Sequence, residues 1–204
     1  MTCRPFLRMS PVVPVLTIND VKDAVPLARA LVAGGLKVLE ITLRTPVALE
    51  AMTRIAGEVP GAVIAAGTVT RAEDLDRAAK AGAQFAFSPG LADFMLKPQA
   101  IPILPGVATA SDIMKGMVEG MDTFKFFPAV PAGGVNALKA FAGPFQSVAF
   151  CPTGGIGADN AKDFLKLPNV LCVGGSWVAP MDAIASGDWG RIEALAKDAA
   201  ALMA

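Results

Sequence analysis

Short runs of β-branched and aromatic residues recur along the chain at intervals of roughly twenty to thirty residues, and between them Ala, Leu, Ile and Met return at helical spacing. The runs are Val12–Leu16, Val38–Leu43, Val63–Thr68, Phe85–Ser88, Ile101–Leu104, Thr123–Phe127, Ser147–Cys151 and Val170–Val173. Each predicts a strand. The helical segments begin near Asp20, Pro46, Arg71, Ala92, Ser111, Val135, Asp159 and Asp188. Boundary residues support this division. Thr70 stands three residues before Glu73 in the pattern of a capping box, Pro46 after Thr45 suits a first helical position, and Gly34-Gly35 and Gly82 follow helical runs as caps.

Eight alternating βα units predict a single-domain α/β protein, a (β/α)8 TIM barrel over residues 11–204 with a short leader at 1–10. The competing architecture is an open doubly wound sheet, which commonly carries a GxGxxG after its first strand; this chain has none there.

A barrel gathers its chemistry at the C-terminal ends of its strands. In Val38-Leu39-Glu40-Ile41-Thr42-Leu43-Arg44 the polar residues Glu40, Thr42 and Arg44 alternate with Leu39, Ile41 and Leu43. Period two puts the polar set on the inner face. In the sixth predicted strand Thr123, Lys125 and Phe127 share a face, which places Lys125 inward as well. Buried charges on facing strands carry a desolvation cost of several kcal/mol unless partnered, so they read either as a structural ion pair or as catalytic groups. Other strand ends are rich in glycine: Gly67-Thr68, Ser88-Pro89-Gly90, Pro105-Gly106, Pro152-Thr153-Gly154-Gly155 and Gly174-Gly175-Ser176. Gly-Gly loops after the seventh and eighth strands, each beside a hydroxyl, suit a phosphate held by backbone N–H groups.

Composition narrows the chemistry. Lys plus Arg and Asp plus Glu are each 18, so there is no basic footprint for nucleic acid or an anionic membrane, and a small-molecule partner is expected. The longest uncharged stretch, Ala140 to Ala158, contains Gly143, Pro144, Gln146, Pro152 and Thr153, a poor membrane helix. The first residues lack the pattern of a secretory signal, and a soluble cytoplasmic protein is the expectation. Hydrophobic residues make up 53%, which buried parallel strands and an oligomer interface would both absorb. Cys3, Cys151 and Cys172 form no CxxC pair and read as small buried hydrophobes. The chain contains no histidine and no tyrosine. Ser-His-Asp and Cys-His nucleophiles and imidazole metal sites are thereby excluded, and acid-base work falls to Lys, Asp, Glu, hydroxyls or water. No close carboxylate cluster suggests a metal, and no cofactor is expected.

Together and in order, Pro11-Val12-Val13-Pro14-Val15, Val38 to Thr45 (VLEITLRT), Ala66-Gly67-Thr68-Val69, Gly82-Ala83-Gln84-Phe85, Ser88-Pro89-Gly90, Phe124 to Ala129 (FKFFPA), Cys151 to Gly155 (CPTGG) and Gly174-Gly175-Ser176-Trp177 resemble the bacterial 2-keto-3-deoxy-6-phosphogluconate aldolases, a family that includes 4-hydroxy-2-oxoglutarate aldolases. The resemblance runs nearly end to end. It implies a trimeric class I aldolase barrel acting on a phosphorylated sugar acid in the Entner–Doudoroff route, with Lys125 forming the imine and Glu40 as general acid/base. It also implies that Arg44 and Thr68 hold the pyruvate carboxylate, that Pro89 and Thr153 lie near the reacting centre, and that Gly154, Gly155 and Ser176 receive the phosphate. Its expected partners are a keto acid and an aldehyde phosphate.

The chain departs from the family pattern at Val130, commonly glutamate, and at Ala65, commonly glycine. The leader before Pro11 is short, and the link Lys97-Pro98-Gln99-Ala100 looks trimmed. A scaffold or larger self-assembling shell built on the same barrel is an alternative, prompted by the apolar-rich segment from Ile113 to Met121. A phosphate-binding isomerase would explain the glycine loops but gives Lys125 no task.

Overall fold

The computed structural model describes residues 2–203. Nine strands are present among them: β1 Val12–Leu16, β2 Val38–Thr42, β3 Val63–Gly67, β4 Phe85–Phe87, β5 Ile103–Leu104, β6 Gly106–Val107, β7 Thr123–Phe126, β8 Ala149–Pro152 and β9 Val173–Gly175. They form a six-stranded sheet, ordered β5-β4-β3-β2-β1-β9, and a three-stranded sheet, β6-β7-β8. Every pairing is parallel. Helices connect most of the successive strands, as parallel pairing requires, and others precede β1 and follow β9. The principal ones are α1 Arg4–Leu7, α2 Ala24–Ala33, α3 Ala48–Glu58, α4 Ala72–Lys80, α5 Ala110–Val118, α6 Gly134–Ala142, α7 Ala161–Leu165, α8 Met181–Ser186 and α9 Trp189–Ala200. None of the described helices is long and apolar enough to cross a membrane.

The fifth predicted strand, Ile101–Leu104, is shorter at its start, and a further short strand follows it across Pro105. Ile103 and Leu104 pair with Ala86 and Phe87 of β4, whereas Gly106 and Val107 pair with Lys125 and Phe126 of β7. Proline has no N–H to give either ladder, so the chain changes partner there. Its carbonyl still accepts from Lys125 N–H at 2.9 Å. Two isolated parallel bridges, Phe150 with Val170 and Thr153 with Gly174, join β8 to the β9 segment.

Period-two alternation separates two apolar clusters. Leu39, Ile41, Ile64, Ala66, Phe124, Phe126 and Phe150 pack outward with the helices. Val13, Val38, Val63, Ala65, Phe85, Phe87, Leu104, Cys151 and Cys172, from the opposite face of the strands, form the second cluster. Cys3 and Leu7 join that inner cluster, so the leader packs against the N-terminal end of the strands. Phe6 stacks on Phe85 at 4.7 Å, and Arg4 donates to Thr123 Oγ1 at 2.8 Å and to the carbonyls of Asp122 and Ser147.

Several local expectations move. The box at the start of α4 uses Asp74 rather than Glu73: Asp74 Oδ2 accepts from Thr70 and Arg71 N–H. Pro46 precedes α3 by two residues. The turn before it is pinned by Thr45 Oγ1, which donates to the Ile18 carbonyl at 2.6 Å. The helix expected near Ala92 is only a 3-10 turn, Asp93–Leu96. Beside that shortened link lies a cavity of about 700 Å³, lined by residues such as Met95, Gln99, Ile103 and Met121. It opens at the N-terminal end of the strands and does not touch Glu40 or Lys125. In α5, Ile113 faces the core while Met114, Met117 and Val118 are exposed. That stretch is therefore only partly a core stripe.

Candidate active site

β2 and β7 each carry one charge on their inner face. Lys125 Nζ donates to Glu40 Oε1 at 3.0 Å, and the side chains are 6% and 1% exposed. A buried pair of this kind gives up hydration that only close geometry returns. It lies over the inner apolar cluster. Lys125 Nζ is also 5.2 Å from the Phe87 ring centroid and 5.5 Å from that of Phe127, both within range of a cation–π attraction.

Cys172 and Cys151 have sulfurs 3.5 Å apart on neighbouring strand segments. The contact with Cys151, and then burial, hold the Cys172 thiol well above its usual range. Burial likewise pushes Cys3 up to about 12. Both stay protonated and unreactive.

The remaining predicted residues lie at the C-terminal strand ends. Thr68 follows β3 directly and has φ 63°, a left-handed conformation that costs a β-branched residue on the order of 1–3 kcal/mol. Thr153 follows β8 and is buried, yet its Oγ1 has no hydrogen-bond partner. A buried hydroxyl that no protein group engages is free to hydrogen-bond a bound substrate. Gly154 and Gly155 continue from it at φ 105° and 76°. They pack against the chain after β7: Ala129 N–H donates to Thr153 O at 2.8 Å and Val130 N–H to Gly154 O at 3.0 Å. Ser176 follows β9 and is exposed, as is Pro89 beyond β4.

Arg44 departs from the alternation argument. β2 ends at Thr42, the Leu43 N–H makes a last bond to Gly67 O at 2.9 Å, and Arg44 is exposed two residues beyond the strand. It has no ion pair among the described residues. The desolvation cost expected for an interior guanidinium does not arise, because solvent reaches the group. Thr42, in contrast, does point into a buried network, donating to the Leu16 carbonyl at 2.9 Å.

Three residues have roles here that sequence reasoning did not assign. Phe87 and Phe127 cover Lys125, a role that alternation in their strands permits but does not announce. Gly67 lies against the Glu40 carboxylate, and the available signal was a glycine inside a strand, which often marks a close approach.

The family model for KDPG and KHG aldolase matches residues 4–195. The 2-dehydro-3-deoxy-phosphogluconate aldolase of Dickeya dadantii is 56% identical over 199 residues, covering 96% of this chain and 93% of that protein. The KHG/KDPG aldolase of Escherichia coli K12 is 53% identical over 197 residues, covering 95% and 92%. The crystal structure of KDPG aldolase from Legionella pneumophila, with pyruvate captured at low pH as a covalent carbinolamine intermediate, superposes with a TM-score of 0.96. It is 45% identical and covers 98% of this chain and 99% of its own. A match spanning this much of the chain makes the chain a member of the KDPG and KHG aldolase family.

Proposed function

We propose that this chain is a class I aldolase that cleaves 2-keto-3-deoxy-6-phosphogluconate to pyruvate and glyceraldehyde 3-phosphate, and 4-hydroxy-2-oxoglutarate to pyruvate and glyoxylate. The observation that carries the reading is the buried contact of Lys125 Nζ with Glu40. An amine beside a carboxylate, under a rim of hydroxyls and glycines, is what imine chemistry on a keto acid needs.

In this reading Lys125 attacks the C2 carbonyl as the free amine, and Glu40 carries the proton that must be moved. Loss of water from the carbinolamine gives a protonated imine. The C4 hydroxyl then gives up its proton as the C3–C4 bond breaks; the bond's electrons pass into the imine to form an enamine, and the aldehyde departs. Protonation at C3 and hydrolysis return pyruvate and the free lysine. Arg44 offers a planar fork to the substrate carboxylate at the rim, with Thr68 beside it. Pro89 and Thr153 border the reacting carbons. Gly154, Gly155 and Ser176 take the phosphate.

The same reading includes closure of the strands into one (β/α)8 barrel over residues 11–204. Its support is the pair of bridges between β8 and β9 and the continuation of β5 into β6 across Pro105. A cytoplasmic location and a homotrimer complete the proposal, and the exposed Met114, Met117 and Val118 offer an apolar face for self-association.

Borohydride reduction in the presence of pyruvate, followed by peptide mapping, tests the central claim. The expected result is a reduced pyruvate adduct on Lys125 alone. Lys125 unmodified in folded, active protein would overturn the mechanism.

Thr153 supplies a second check. Thr153→Val keeps the shape and removes the orphan hydroxyl, whose burial without a partner costs about 1–3 kcal/mol. The variant is expected to melt at or above the parent temperature while kcat/KM for aldol cleavage falls at least tenfold or so. A variant that loses stability and keeps full activity would remove Thr153 from the reacting centre.

A further inference from the structure

Glu40 reaches Lys125 across space that a single added carbon would occupy. A Cβ placed on Gly67 would stand 2.5 Å from Glu40 Oε1, 2.7 Å from Cγ and 3.0 Å from Cδ. Those separations fall well inside van der Waals contact. Gly67 is the last residue of β3, paired in register with Thr42 of β2, two residues along the strand from Glu40.

The backbone gives no other reason for a glycine here. Gly67 is not among the residues of positive φ, and the strand interior is a place where glycine weakens the fold. Its immediate neighbours Ala65 and Ala66 show that a Cβ is accommodated along the rest of this strand. What differs at position 67 is the identity of the neighbour: a carboxylate in a hydrogen bond rather than an adaptable apolar chain.

We infer that Gly67 is a positioning residue for proton transfer, the clearance that lets the Glu40 carboxylate lie against Lys125. This rests on Glu40 having the proton-carrying role given it above. Glu40 is 1% exposed and its strand is flanked by β1 and β3, so an alanine at 67 forces the carboxylate off its contact with Nζ. The consequence falls on steps that move a proton, and less on the capture of pyruvate by the amine. Gly67 touches no substrate atom in this account; it acts through Glu40.

Four proteins test this: the parent, Gly67→Ala, Glu40→Ala and the double variant. Each is assayed for borohydride-trapped pyruvate on Lys125, for the rate at which pyruvate methyl protons exchange in D2O, and for its melting temperature. Gly67→Ala is expected to reach the parent's final extent of trapping while exchange slows about 100-fold or more. In the Glu40→Ala background the same change is expected to slow exchange no further and to cost less in melting temperature, because the atoms it would strike are gone. Should Gly67→Ala fail to fold while the double variant folds, the clash is demonstrated by that rescue. An equal loss in both backgrounds, no loss in either, or failure of both alanine-67 proteins to fold overturns the inference. Parent protein that traps no pyruvate overturns the aldolase reading and this inference with it, whereas trapping with additive losses overturns the inference alone.

Discussion

Lys125→Met is expected to lower kcat for aldol cleavage by at least about four orders of magnitude, with no pyruvate adduct after borohydride. The size follows from the role. Without an imine, the electrons of the breaking C3–C4 bond have no sink, and no second lysine takes its place: among the described residues Lys125 is the only lysine that is buried. The stability effect is separable. Methionine fills the inner face but leaves the Glu40 carboxylate, 1% exposed, without its partner. Breaking a buried pair from one side costs about 3–5 kcal/mol, while replacing both members with apolar residues is often neutral or stabilising. Urea unfolding should therefore rank Lys125→Met below the parent and the Lys125→Met/Glu40→Leu protein near or above it. If the single variant keeps cleavage within tenfold of the parent, Lys125 is not the nucleophile.

Much of this centre is written in local pattern. The alternation in VLEIT places Glu40 and Thr42 opposite Leu39 and Ile41, and both are buried with the partition predicted from period two. Lys125 on the inner face of TFKF follows from the same rule. Where the pattern fails, a non-local event replaces it. The alternation that carries Arg44 inward outlives the strand, because β2 stops when β3 runs out of pairing partners at Gly67. The last strand begins at Val173 rather than Val170, since its main ladder is with β1, through Val12 to Pro14, and only one bridge with β8 marks the earlier residues. The division of β5 from β6 depends on which neighbour each half meets, which Pro105 permits and distant residues decide. The strained Thr68 and the orphan Thr153 hydroxyl are properties of backbone angle and missing partners. Neither has a signature in composition or spacing.

Glu40→Gln carries the second large effect, and it divides the reaction. The amide matches the carboxylate in shape, so packing against Gly67 and the position two residues from Thr42 are retained. It can neither take a proton from an approaching amine nor return one to C3. Removing a positioned general acid/base typically costs about 10²–10⁴ in rate, and the expected fall in kcat lies in that range. The imine should still form, since Lys125 keeps its place beneath Phe87 and Phe127, and trapping is expected to proceed to the same final extent more slowly. Methyl-proton exchange of pyruvate, which consists of proton removal and return at C3, should fall by as much as cleavage does. Exchange at the parent rate together with slowed trapping would instead assign Glu40 to carbinolamine dehydration alone. Parent-like rates in both would mean that the buried pair is structural, and that the proton travels by another group. The geometry argues against this last outcome. The carboxylate is the one acidic side chain buried among the described residues, and at 3.0 Å it already touches the atom whose proton must move.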